Sequence, residues 1–367
     1  MAEKTESNTA LARALAVFDR SLLLVVVAST AVVVAAGVVQ VSLGTYSMSL
    51  AEAWRGVFNP DVVFDPAMWN AFLLGGELPE MSRRTLVIWS IRLPRVLVGI
   101  LAGMGLAVSG AIFQGVTRNE LASPFVLGVS SGAGLAVLFA LVVLGGLAAF
   151  LPLIAAVGGA AAFLIVYAIA WQGGTSPVRL VLAGIIVGVV FESLQWGLFF
   201  FAEDIGVVQA AIEWTRGSLT GTGWEQVRIA TIPMLLAVGL SLLGSRQLNI
   251  LLLGERTAQS LGMSVERVRF GLSAVGILAA ASAIAVAGIV AFVGLVVPHV
   301  VRTLVGTDYR RLMVGCVFAG PALLVAADVG ARLALAPQQI PVGVVTGLLG
   351  GPYFLYLMRK QREVGQL

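Results

Sequence analysis

Lysine is almost missing from this sequence: Lys4 and Lys360 are its only two, and neither follows a run of glycines. A phosphate-binding loop needs a lysine directly after its glycines to reach the nucleotide phosphates. The chain therefore cannot be a P-loop ATPase by itself, and any ATP-driven work would need a motor on another subunit. Cysteine and histidine are as scarce, with Cys316 and His299 each alone of its kind. Neither a disulfide framework nor a Cys/His metal cage can form within such a chain. Charged residues make up 11% of the sequence, where a soluble domain carries about a quarter. The clustered basic charge of a nucleic-acid surface is missing too, so nucleic acid is not an expected partner.

What is present is apolar: 59% hydrophobic residues and a mean hydropathy of +0.98. Runs of about 20 such residues cross a bilayer core of about 30 Å as helices, and the alternating rhythm of a membrane barrel is not seen. The expected fold class is an all-α polytopic membrane protein with about ten transmembrane helices. Residues 1–20 are polar and precede a first span, Ser21–Val41, which lacks the small-residue cleavage site of a signal peptide. Further spans are expected near 93–116, 124–147, 149–171, 180–201, 227–245, 270–287, 289–305, 312–331 and 341–358. Residues 42–91 form the longest stretch outside them, with Glu52, Asp61, Asp65, Glu77 and Glu80, and a second polar loop carries Glu203, Asp204, Glu213 and Glu225. The domain plan is one membrane domain over 21–358 and a short tail, 359–367.

Basic residues set the orientation, because cytoplasmic loops carry an excess of them. Ten spans with both termini inside place Arg13, Arg20, Arg118, Arg179, Arg246, Arg256, Arg267, Arg269, Arg302, Arg310, Arg311 and the Arg359–Arg362 tail on the cytoplasmic side. The acidic loops fall outside, diluted by Arg55, Arg83 and Arg84. An internal echo relates Val98–Gly110 to Val275–Gly288, five spans apart and so antiparallel. That is the pattern of an inverted repeat, although two Ala/Gly/Val-rich helices also resemble each other by chance.

Between two apolar stretches lies a polar island, 249–269. Its middle reads as a short helix, with Glu255 at the positive helix end and Gly262 as a left-handed stop. Leu253, Ala258 and Leu261 are expected to share one face. A few polar residues would suffice to turn a corner, so a small amphipathic knob outside the bilayer suits a transporter that presents itself to a partner.

Several blocks then recur in order: Arg92-Leu-Pro-Arg95, Gln114-Gly-Val-Thr-Arg-Asn-Glu-Leu-Ala-Ser-Pro124, Gly288–Arg302, Gly306–Arg311, Ala327–Arg332 and Ile340–Pro352. From about Trp89 to Arg359 they resemble the FecCD-type permeases, membrane subunits of ABC importers for iron-siderophores, haem and cobalamin. The resemblance implies a type II ABC importer permease fold in a prokaryotic cytoplasmic membrane. It also implies a second permease copy or a paralogue, two ATPase subunits that bind the ATP, and an external substrate-binding protein, with no cofactor or metal in this chain and no catalytic residue. By position, Arg92, Arg95 and Arg332 match arginines that meet glutamates of the binding protein. Leu253, Gly254, Glu255, Arg256, Ala258, Leu261 and Gly262 match the coupling helices that sit on the ATPase. Thr175, Ser176 and Pro177 fall where the cytoplasmic gate lies. The sequence departs from the family pattern at Glu120, usually proline, and at Gln339, usually glutamate.

Other residues are read on their own chemistry. Asp328 is spaced to pair with Arg332 at i,i+4. Pro298–His299 is expected to break or cap the eighth span, in preference to a metal or proton-relay role for His299. Glu192, inside the fifth span, lines either the pathway or a helix interface, since intramembrane charges are functional candidates. The resemblance makes an iron(III)-siderophore the first-choice substrate, with cobalamin or haem as alternatives. A remoter class is an ion-gradient-driven secondary transporter, for which paired ionisable residues near midplane are wanting.

Overall fold

The computed structural model describes residues 19–364 apart from Thr45, Ser47, Gly145, Gly146, Ala148, Ala149, Glu203, Asp204 and Pro337. Most of the N-terminal segment, the end of the tail and two of the loop acids expected above lie outside the described residues. Among the described residues there are seven helices long and apolar enough to cross a membrane and three shorter apolar ones.

Helix α1 (Arg20–Ser42) starts where the Asp19 carboxylate accepts from the Leu22 amide. The Leu22 amide and the Ser21 hydroxyl hold the Asp19 carboxyl below its usual range, and Arg311 adds to this. Three short helices follow, α2 (Leu50–Val57), α3 (Pro60–Val63) and α4 (Pro66–Leu74). Ser49 and Glu52 form a capping box on α2, and Pro60 and Pro66 begin the next two behind Asn59 and Asp65 caps, where a missing amide costs nothing. They are held down by aromatics: Phe72 stacks between Trp89 at 5.5 Å and Trp224 at 4.8 Å. Residues 50–74 thus form a packed helical cap.

The second span, α5 (Arg83–Thr117), begins ten residues earlier than expected and widens into a π-helical turn over Ile88–Arg92. Arg83, Arg84 and Ser90 lower the hydropathy without stopping a helix, so composition alone set its start too late. Helix α5 is the hub of the bundle, buried almost throughout from Val98 to Thr117. The remaining helices are α6 (Val129–Leu144), α7 (Leu151–Ala170), α8 (Pro177–Phe199), α9 (Ile205–Thr215), α10 (Trp224–Leu243), α11 (Ser245–Leu252), α12 (Glu255–Ser260), α13 (Val265–Ala287), α14 (Val293–Val305), α15 (Tyr309–Leu333) and α16 (Val342–Val364). The third span starts at Val129 because Asn119–Gly128 makes a chain of turns, with Gly128 at φ 79°. Glu213 lies in helix α9 and Glu225 in the first turn of α10, so the second polar loop is partly helical.

Small residues let α5 approach its neighbours closely. Gly105 lies against the backbone of Ala279, and Phe113 against Gly276. As numbering rises along α5 it falls along α13, so the two echoing segments are antiparallel and in contact. Helix α14 is shorter than a span because Gly288–Phe292 before it is unwound, with Gly288 at φ 67° and Phe292 also at φ 67°.

Pro298 does not break or cap the eighth span: α14 continues through it to Val305. A proline leaves the carbonyl four residues back without its helical donor, and here that is Gly294. Its oxygen lies where a side chain at Gly110 would stand, while the Gln114 amide donates to the next carbonyl, Leu295, at 3.4 Å. The missing side chain at Gly110 leaves room for the Gly294 carbonyl. Gly110→Ala is therefore expected to force the two backbones apart at a cost of at least about 1–3 kcal/mol. Its thermal unfolding midpoint in detergent should fall clearly, and an unchanged midpoint would contradict this contact.

Candidate coupling and docking sites

Two ends of the bundle collect the functional candidates. At the first, helices α11 and α12 build the island. Gly254, at φ 101°, turns the chain between them and Gly262, at φ 81°, ends α12. Leu248, Leu251 and Ala258 are buried, while Leu253 and Leu261 are 61% and 62% exposed. The expected shared face is thus split. Ala258 packs inward, and the Gly254 turn and the end of α12 carry the two leucines outward. Arg256 is exposed beside them.

Glu255 faces the bundle. One carboxylate oxygen accepts from Arg269 at 2.6 Å and lies 3.6 Å from Arg118. Arg269, on the first turns of α13, is 1% exposed. Its guanidinium also donates to the Glu266 carboxylate at 2.8 Å, to the Thr175 carbonyl at 2.6 Å and to the Thr175 hydroxyl at 3.1 Å. The Thr175 hydroxyl in turn donates to Glu266 at 2.8 Å. Ser176 caps α8 by accepting from the Arg179 amide, and Pro177 opens the helix. The candidate gate residues and the candidate coupling residues are thus joined, through an arginine that sequence reasoning used only as a topology marker. The signal was available, since Arg269 stands among Val265, Val268 and Leu272, where an unpaired charge would not be buried.

At the same end Glu120 lies 3.2 Å from His299 and 3.4 Å from Arg302, whose guanidinium also donates to Gln114 at 2.9 Å. The departure at Glu120 therefore fastens the turn after α5 to α14. Among the described residues no group of three His, Cys, Asp or Glu is placed to hold a metal ion.

At the opposite end, Asp328 does not pair with Arg332. Arg95 holds it through both oxygens, Nε and a terminal nitrogen each donating at 2.8 Å, and Gln40 donates at 2.6 Å. Asp328 is fully buried. Arg332 instead donates to the Gln40 carbonyl at 3.0 Å, while Arg92 donates to the carbonyls of Val41, Ser42 and Tyr46. The last carbonyls of a helix have no partner within it and carry negative partial charge, so the end of α1 gathers these cations. Arg92 and Arg95 are buried, at 2% and 7% exposure, and Arg332 is half-buried. Gln339 accepts from the remaining nitrogen of Arg95 at 2.7 Å.

Glu192 is exposed on α8 and lines a cavity of about 690 Å³ with Ser131, Gln195, Trp196, Arg216 and Ala291. The unwound Gly288–Phe292 segment contributes to this wall through Ile289 and Ala291. Irregular backbone at membrane depth is tolerated where it lines a cavity or is partnered, and Ile289 donates to the Trp214 carbonyl at 3.2 Å.

A family profile described as the FecCD transport family matches residues 24–360. An Fe(3+)-citrate import system permease protein of Bacillus subtilis is 38% identical over 77% of this chain and 84% of its own length. A hemin transport system permease protein of Yersinia pestis is 36% identical over 88% of this chain and 91% of its own. Among solved structures, a metal-chelate type ABC transporter in an inward-facing conformation superposes with a TM-score of 0.76 at 27% identity, covering 91% of this chain and 98% of that one.

Proposed function

We propose a function for this chain from the family it belongs to, the FecCD transport family: as the multi-pass permease of an ABC importer, it passes an iron(III)-siderophore inward. It works in a prokaryotic cytoplasmic membrane with both termini inside, so that the island faces the cytoplasm and the arginine cluster faces out. Two ATPase subunits sit against the island. A second permease, a copy or a paralogue, completes the pathway along the Glu192 cavity. An external binding protein delivers the ligand to the outer end, where half-buried Arg332 is the most accessible of the three arginines and Arg92 and Arg95 hold the surface beneath it. The chain performs no bond-making chemistry and carries no cofactor of its own.

The observation that carries this reading is the island: two exposed leucines, Leu253 and Leu261, flanking a short helix, in a chain that lacks a phosphate-binding lysine of its own. An exposed apolar pair rimmed by polar residues suits a protein partner. The substrate class is favoured by the iron-citrate relative and by polar groups at the cavity wall, Ser131, Gln195 and Arg216. A second reading, haem, is favoured by the hemin relative, which matches over more of the chain. The test is co-purification after co-expression with the candidate ATPase. The reading expects a stable complex that hydrolyses ATP, and a permease recovered alone from every such preparation would overturn it.

A further inference from the structure

We infer that Arg269 is the positioning residue that carries movement of the island to the Thr175 loop, an inference that rests on the ABC reading above. Three groups converge on its guanidinium: Glu255 of α12, 14 residues earlier in the sequence, Glu266 one turn back on α13 itself, and, from 94 residues away, the carbonyl and hydroxyl of Thr175 in the loop before α8. Thr175 is itself buried and donates to Glu266, so loop and α13 are also tied directly. Glu255 is different. Its carboxylate is the group on α12 that reaches Arg269, so the island meets the loop through this guanidinium. A planar, permanently charged fork with donors in fixed directions transmits displacement of one acceptor to the others, which a lysine ammonium on a flexible stem does less well. Burial strengthens the contact, because water competes little for a guanidinium at 1% exposure. When a partner shifts α12, Glu255 moves Arg269, and the Thr175 loop at the start of α8 follows.

The experiment uses the full permease in complex with its ATPase, with Gln172, an exposed residue of that loop, replaced by cysteine. Native Cys316 is buried and does not compete for label. The readout is the rate at which a polar maleimide labels position 172 with and without ATP plus vanadate. In the Gln172→Cys background nucleotide should change this rate. Arg269→Gln should shrink that nucleotide response by at least about fivefold, the lower end of coupling factors between linked sites. The complex should still assemble and hydrolyse ATP, and Arg269→Lys should restore part of the response. Because Arg269 is buried, Glu255→Ala provides a second variant. It cuts the link from the more exposed side and should give the same loss, read on complexes in which the bound ATPase has been verified. A nucleotide response within about twofold of the parent in Glu255→Ala or in folded Arg269→Gln overturns the inference alone. Absence of any ATPase complex in the parent overturns the ABC reading instead.

Discussion

Asp328→Ala is expected to destabilise the permease by about 3–5 kcal/mol, the cost of removing one partner from a buried ion pair. The carboxylate is fully buried, and both its oxygens are engaged by Arg95, with Gln40 adding a third donor. Alanine would leave the Arg95 guanidinium, itself 7% exposed, with Gln339 as its remaining side-chain acceptor. Arg92 and Arg332 stand close by, so three positive charges would face one another without the central negative one. Native stability totals about 5–15 kcal/mol, so this loss removes a large part of it. Thermal unfolding in detergent should show a midpoint many degrees lower, together with poor recovery of folded protein. Asp328→Asn should cost less, since the amide can still accept from Arg95. Gln339→Ala should cost about 1 kcal/mol, because that side chain is exposed. A wild-type midpoint for Asp328→Ala would contradict the assigned pairing.

Replacing both Leu253 and Leu261 with aspartate should abolish transport and leave the fold intact. The two side chains are 61% and 62% exposed, so the isolated permease gains little from them and its unfolding midpoint should hold. Against a docked ATPase each would be buried, and full burial of a leucine contributes about 1.5–3 kcal/mol. With about 60% of each left to bury, together they account for about 2–4 kcal/mol, which is at least about thirtyfold in affinity. The charged replacements add desolvation to that loss. Affinity between purified permease and ATPase should therefore fall by two or more orders of magnitude, and uptake should drop to background. Wild-type affinity in the double variant would remove the island from the docking surface.

These two sites mark how far sequence reasoning reaches. The seven long apolar helices and the three shorter ones among the described residues were readable because hydropathy over about 20 residues reflects the bilayer thickness directly. Their ends were less so. Arg83 and Ser90 look like loop residues but continue a helix, and the apolar stretch Gly288–Phe292 looks like a helix but is unwound. The island was legible as a polar helix ended by a glycine. The direction its leucines face was not, because the turn at Gly254 resets the helical phase. Asp328 shows the largest gap. Local spacing offered Arg332 four residues on, whereas the structure pairs it with Arg95, 233 residues away. Only the meeting of α5 and α15 creates that contact, and no periodicity encodes it. Arg269 was likewise visible as a charge, but its two carboxylates and the Thr175 loop converge only once α8, α12 and α13 are packed.

The most direct test of the ABC importer reading is uptake into proteoliposomes containing this permease, its ATPase and the external binding protein, with an iron-55-labelled siderophore as probe. The account predicts accumulation that requires ATP on the island side, stops with vanadate and is lost when the ATPase is omitted. Accumulation driven by an ion gradient with the permease alone would contradict it.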